Sequence, residues 1–126
     1  MSGFSFDSNI IIDALRGVEQ ARVELQHVSD SGIGQWISRV VWIEVLSKGD
    51  AEMIRRASAL LGGFAIDELD EEIAARTAAL RRERAGLRLP DAVILATAQS
   101  RGRILITRNT RDFPAALPGI RVPYTI

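Results

Sequence analysis

Four carboxylates stand where their surroundings make them chemically notable: Asp7, Glu44, Asp91 and Asp112. Asp7 follows a short apolar run, Phe4-Ser-Phe6, and opens the polar triplet Asp7-Ser-Asn9. A second apolar run, Ile104-Leu-Ile106, leads into Thr107-Arg-Asn-Thr-Arg-Asp-Phe113, which supplies Thr107, Asn109 and Asp112. Glu44 shares a helical face with Val40 and Val41, and Asp91 precedes the apolar stretch Ala92-Val-Ile-Leu-Ala96. Each acid also has a plainer role available. Asp7 can cap the helix at Ile10, and Asp91 suits the positive end of a helix dipole. Glu44 can reach solvent from the edge of its stripe, and Asp112 can cap the turn around Phe113. Together they say more, because carboxylates gathered in one place repel each other unless a cation compensates them. Oxygen ligands without Cys or paired His select hard cations, Mg2+ or Mn2+.

Other chemistries find little support. His27 is the single histidine and reads as a surface residue on a polar helix, so a Ser-His-Asp triad has no base. The absence of cysteine excludes disulfides, thiolate metal sites and a thiol nucleophile. No glycine-rich phosphate loop occurs, and Gly62-Gly63 reads as a helix stop. Trp36 and Trp42 fit a core better than a base-stacking platform. A phosphoacceptor receiver domain would need a lysine beyond a late strand, whereas the only lysine, Lys48, falls in a helical region. A haloacid-dehalogenase-like phosphatase would need Asp-x-Asp after the first strand, where this chain has Asp7-Ser-Asn9.

The elements that must position these residues follow from periodicity and punctuation. A buried strand at Phe4–Phe6 and a polar turn precede a helix from near Asn9 to before Gly17, with a second helix over 18–30. Ser31-Gly-Ile-Gly34 interrupts, Gln35–Ile37 is a strand, and Ser38 is the N-cap of a helix carrying Val40 to Leu46. After Lys48-Gly-Asp50 a helix runs to Leu61, and Phe64–Ile66 is a strand. Asp67 or Asp70 caps the next helix, with Glu71 and Glu72 in its first turn, Arg81, Arg82 and Arg84 in its last, and Gly86 as its stop. Pro90 opens the first turn of a helix from Asp91 to about Ser100 that Gly102 closes. Ile104–Ile106 is a strand, and Arg121-Val122 forms a last one. Short apolar strands alternating with helices predict a three-layer α/β/α domain around a mainly parallel sheet, and functional groups gather beyond the carboxyl ends of such strands.

The 126 residues fit one domain spanning 1–126, and 47% hydrophobic with 25% charged residues suffices for a full core. No stretch approaches the roughly 20 apolar residues of a membrane span, and the start lacks a basic-then-apolar signal, so a cytoplasmic location is expected. Sixteen basic and sixteen acidic residues give zero net charge, but the two signs are segregated. Residues 1–75 hold six basic and thirteen acidic residues, residues 76–126 ten arginines and three acids, giving −7 and +7. The basic half consists of guanidinium alone, the group suited to bidentate phosphate contacts, although helix electrostatics also explains Arg81, Arg82 and Arg84.

Asp7-Ser-Asn-Ile-Ile-Ile-Asp13, Glu44 within an apolar helix, Leu89-Pro-Asp-Ala-Val-Ile-Leu-Ala-Thr-Ala98 and Thr107–Phe113 together resemble the PIN domain, and within it the VapC-type toxins of toxin–antitoxin pairs. The resemblance covers nearly the whole chain in the same order. It implies a Mg2+- or Mn2+-dependent ribonuclease, held inactive by a VapB-like antitoxin that engages the N-terminal helices, and commonly a homodimer. Asp7, Glu44 and Asp91 match the family's first three acids. The fourth is open between Asn109, two residues after Thr107, and Asp112 in the turn that follows; Asn9 and Thr107 match polar positions that orient the cluster. Arg88, Arg108 and Arg111 are the candidates for holding RNA phosphates. The competing expectation is a PIN-like module that binds nucleic acid or protein without catalysis.

Overall fold

The computed structural model describes residues 3–125. Five short strands form one sheet: β1 (Phe4–Phe6), β2 (Gln35–Ser38), β3 (Ala65–Asp67), β4 (Ile104–Ile106) and β5 (Ile120–Arg121). Their spatial order is β3-β2-β1-β4-β5, and every neighbouring pair is parallel. Six helices connect them: α1 (Ser8–Leu15), α2 (Glu19–Ser31), α3 (Arg39–Leu46), α4 (Ala51–Leu61), α5 (Glu71–Glu83) and α6 (Leu89–Arg101). The expected α/β/α fold is therefore present, with a sheet that is parallel throughout its described strands.

The order of strands explains where a site can form. The chain steps outward from β1 to β2 to β3, then jumps back past both to place β4 against the other side of β1. Because such crossovers are right-handed, this reversal sets α5 and α6 on the opposite face of the sheet from α1 and α2. The connections leaving β1 and β4 diverge, and a crevice opens where their carboxyl ends lie side by side. Register puts Phe6 beside Ile106, so the next residues, Asp7 and Thr107, open that crevice together.

Packing fixes the strands firmly beneath it. Phe6, Leu105 and Ile106 are fully buried, and Phe6 meets Phe64 edge to face at 5.5 Å between ring centres. Every residue from Asp91 to Ala98 of α6 is buried, which accounts for its apolarity all round. Gly102, with φ of +67°, then ends this helix in the left-handed conformation that side-chain-bearing residues resist. Among the described residues, no helix is long and apolar enough to cross a membrane.

Several local expectations need adjustment. Asp7-Ser-Asn9 is not a free turn: Asp7 is the N-cap of α1, and Ser8 and Asn9 are its first residues. Asp70, not Asp67, caps α5 by accepting from the Ile73 N–H at 2.9 Å. That helix ends at Glu83, before Gly86 is reached, and Arg84 already has extended backbone. Strands β3 and β5 each sit one residue from their expected positions because hydrogen-bonded register, rather than local apolarity, sets their ends. The tryptophans are only partly buried. Arg103 stacks on Trp36 at 3.5 Å, and Arg39 on Trp42 at 4.9 Å. Ser38 caps α3 as expected, accepting from the Val41 N–H at 3.2 Å inside the core. Ser38→Ala leaves that buried donor unmet and is expected to cost about 1 kcal/mol, lowering the midpoint of thermal unfolding by several degrees. An unchanged midpoint would show that α3 does not depend on this cap.

The segregated charges serve largely to join the two halves of the chain. Arg101 pairs with Asp70 and Glu72, Arg103 with Asp67, Arg108 with Asp13 and Arg121 with Glu24. Four of the ten arginines beyond residue 75 thus reach acids before it, so the basic half is not one continuous face for a polyanion.

Candidate metal centre

Asp7 is the pivot of the crevice. Its position at the junction of a buried strand and a helix leaves the side chain 3% exposed. One carboxylate oxygen, Oδ1, accepts from the Ser8 N–H at 2.8 Å, while Oδ2 accepts from Thr107 Oγ1 at 2.7 Å and from Asn9 Nδ2 at 3.3 Å. Burial nevertheless pushes the Asp7 carboxyl from an ordinary 3.8 up to about 6. The hydrogen bonds from Thr107 and Ser8 work against the rise, and the neighbouring charges of Asp91 and Glu44 add to it.

The other acids arrive from separate elements. Asp91 lies in the first turn of α6, 6% exposed, and accepts from Arg88 Nε at 3.3 Å. Burial raises its pKa, Arg88 opposes the rise, and the adjacent Asp112 reinforces it. Glu44, half-buried on α3, accepts at 2.9 Å from the hydroxyl of Ser8. Ser8 also lies 3.5 Å from Asp7 Oδ1, so one hydroxyl bridges the two carboxylates. Asp112 accepts from Asn109 Nδ2 at 2.9 Å and its own N–H donates to Asn109 Oδ1 at 3.3 Å. The two candidates for the fourth position are therefore hydrogen-bonded to each other.

Thr107 ties this turn to Asp7. Its hydroxyl donates to Asp7 and accepts from the Asn109 N–H at 2.9 Å, with Asn9 Nδ2 3.5 Å away. Asn9 and Thr107 thus both reach Asp7 and each other. Ser8, which the sequence shows only as the middle of a polar triplet, is a contact that sequence reasoning does not single out. Its position at the first residue of a helix following an acid was the available clue, since hydroxyls there commonly hydrogen-bond locally.

Electrostatic coupling links Asp7 to Asp91 and Glu44, and Asp91 to Asp112. Among the described residues, however, no three or more acidic, His or Cys side chains are close enough to form a finished metal cage. The chemistry of the donors still suits a hard divalent cation. They are all oxygens, they converge at the ends of β1 and β4, and the buried Asp7 carries a raised pKa that an added positive charge would reverse.

The three arginines expected to face phosphate have different situations. Arg111 is exposed beside Asp112, and Arg88 is mostly exposed, with one nitrogen on Asp91. Arg108 turns away to Asp13, donating through Nε at 2.6 Å and through a terminal nitrogen at 3.1 Å, so its fork is committed within the protein. Arg84, not anticipated as a site residue, donates at 2.7 Å to the backbone carbonyl of Asp112.

The molecule is thus an α/β/α domain whose acids gather at the switch point of a parallel sheet, where such folds carry their functional groups. The chain belongs to the PIN domain family, whose model matches residues 5–116. It is similar in structure to the toxin–antitoxin complex from Klebsiella pneumoniae, with 40% identity, a TM-score of 0.85, and coverage of 98% of this chain and 100% of that one. DNA-bound VapBC from Salmonella typhimurium matches with 25% identity and a TM-score of 0.75 over 96% of both chains. FitAcB from Neisseria gonorrhoeae shares the fold with 24% identity and a TM-score of 0.77, covering 98% and 99% of the two chains. The resemblance to VapC-type chains read from the motifs is thus borne out. No protein among the curated ones matches.

Proposed function

We propose that this protein is the toxin of a VapBC-type toxin–antitoxin pair and cleaves RNA phosphodiesters as a Mg2+- or Mn2+-dependent endoribonuclease. The observation that carries this reading is the convergence of Asp7, Glu44, Asp91 and Asp112, from four separate parts of the chain, on the crevice between β1 and β4. Asp7 and Asp91 are the principal oxygen donors for the cation, with the Asn109–Asp112 pair completing its surroundings. A divalent cation held there would supply an acidified water and polarise a phosphodiester. Glu44, held facing the crevice by the Ser8 hydroxyl, would orient an attacking water and accept its proton. Thr107 and Asn9 keep Asp7 from rotating. Arg88 and Arg111 flank the acids and neutralise the RNA backbone.

The similarity to toxin–antitoxin complexes supports an antitoxin partner for this chain. The proposal further takes the N-terminal helices as the antitoxin's docking face, a homodimer as the working unit and the cytoplasm as the place of action. The decisive experiment titrates Mn2+ into the purified protein and follows cleavage of a structured RNA. Wild type is expected to bind Mn2+ and cleave, and Asp91→Asn to lose both while keeping its far-ultraviolet circular dichroism. Undiminished cleavage by Asp91→Asn would refute the assignment, and a wild type that binds no Mn2+ would favour the non-catalytic binding module.

A further inference from the structure

Asp13 lies one turn along α1 from Asn9, outside the acidic crevice, and is 3% exposed, a burial that an isolated carboxylate resists. Three donors reach it. Arg108 supplies two hydrogen bonds of 2.6 and 3.1 Å, and Tyr124 Oη donates at 2.8 Å. Burial pushes the Asp13 carboxyl up, but the hydrogen bonds from Arg108 and Tyr124, with the nearby charges of Arg108 and Arg16, outweigh it and hold the pKa below the ordinary value. The carboxylate is therefore an anion fixed on three sides.

What it fixes is the turn after β4. The Arg108 backbone N–H donates to Asn9 Oδ1 at 3.4 Å, and its chain neighbours are Thr107, which donates to Asp7, and Asn109, which holds Asp112. Among the described residues, positions 107 to 113 form no helix or strand, so their course is set by side-chain anchors. One anchor is Phe113, fully buried, at the far end. The other is the Arg108 fork on Asp13, at the near end. Tyr124 adds the C-terminal segment, which packs its ring against the core and closes over the same carboxylate.

We infer that Asp13, with Arg108 and Tyr124, is a positioning residue for the metal centre, setting the turn that carries Thr107, Asn109 and Asp112 relative to Asp7. This rests on the metal-dependent reading above. It assigns Arg108 to support rather than to the RNA backbone, and it makes a C-terminal residue part of the support for a site built from the first strand. Residues that orient ligands without touching the metal commonly govern affinity by factors approaching those of the ligands themselves.

The test uses Asp13→Asn, Arg108→Lys and Tyr124→Phe in the intact chain, with two readouts. Amide hydrogen exchange in metal-free protein reports the order of residues 107–113, and calorimetry reports Mn2+ affinity. Exchange in that segment is expected to accelerate in all three variants. Mn2+ affinity is expected to fall about tenfold for Asp13→Asn and Arg108→Lys, and by a smaller factor for Tyr124→Phe, which loses one hydrogen bond of three. Faster exchange with Mn2+ affinity unchanged within about twofold would overturn the proposal, reducing the cluster to a structural anchor. Unchanged metal binding with tighter RNA binding by Asp13→Asn would overturn it differently, by showing that Arg108 belongs to the substrate. A wild type that binds no Mn2+ would overturn the metal-dependent reading, and the inference with it. Should Asp13→Asn fail to fold, Tyr124→Phe decides alone, since losing one phenolic hydroxyl leaves the ion pair in place.

Discussion

Asp7→Asn is expected to abolish metal-dependent RNA cleavage and, in the same molecule, to raise the stability of the metal-free protein above pH 6. The first effect follows from the loss of a direct donor. Removing mere supporting residues already costs about 10–100-fold in metal affinity or activity, so activity is expected to fall at least 100-fold. The second follows from burial. With its pKa raised from 3.8 to about 6, the folded protein holds the Asp7 proton more tightly than the unfolded chain does. Stability therefore falls as pH rises from about 4 to about 6, and the full penalty, of order 1–3 kcal/mol, persists above that range. Asparagine carries no charge to bury, retains an acceptor for the Ser8 N–H, and presents an amide to the Thr107 hydroxyl. Thermal unfolding of metal-free wild type and variant at pH 7.5 and pH 4.5 checks this. The variant should melt several degrees higher at the first pH and show little advantage at the second. A gap independent of pH, or a destabilised variant at pH 7.5, would exclude the buried-charge account. Proton and metal compete for the same oxygens, so wild-type Mn2+ affinity should also weaken as pH drops through about 6.

The largest loss of stability is expected at Arg103. Its guanidinium donates at 2.9 and 2.8 Å to the two oxygens of Asp67 and lies 3.5 Å from the Trp36 ring centre. The two charged side chains are 8% and 4% exposed. Two ions so far out of water are tolerated because they face each other, and Arg103→Ala strands the carboxylate. The expected cost is about 3–5 kcal/mol in urea unfolding, a large fraction of the stability of a domain this size. Replacing both partners, as in the double variant Arg103→Met with Asp67→Leu, should recover much of that loss, because the desolvation of both charges disappears together. A single-variant cost below about 1 kcal/mol would mean that water reaches Asp67 once the arginine is gone.

Much of the molecule was legible in its amino acids, for reasons that also explain what was hidden. Local rules placed the helix ends at Ser38, Asp50 and Gly102, because caps act within a few residues of themselves. Asp7, Glu44 and Asp91 announced themselves because each interrupts or borders an apolar element, and Asp112 because it lies in the polar turn that follows one. Asp13 interrupts one too, in Ile10-Ile-Ile-Asp-Ala-Leu15, yet nothing local marks its partner, which lies 95 residues further on. Arg108 looked suited to phosphate for the same reason: a guanidinium beside a candidate site reads identically whether it faces outward or back into the fold. The segregation of charge into −7 and +7 suggested a basic surface. Much of it resolves into pairs across the halves, which periodicity cannot reveal because it carries no information on which distant elements touch. Strand order was hidden likewise, and with it the switch point that selects Asp7 and Thr107 as neighbours.

The central position of β1 bears on how this chain comes into being. Asp7 is made well before the residue that orients it, for that hydroxyl belongs to Thr107, 100 residues later. The strand it ends is flanked on one side by β4, so the sheet cannot close around it until Ile104–Ile106 has been synthesised. Contacts of such long sequence separation form late in folding. While it is still being translated, the nascent protein therefore carries its first carboxylate without the turn that would make it useful, and the crevice exists only once almost the entire described chain has emerged. For a protein whose proposed target is RNA, the ribosome making it is the nearest large body of that polymer, and the topology keeps the two apart in time.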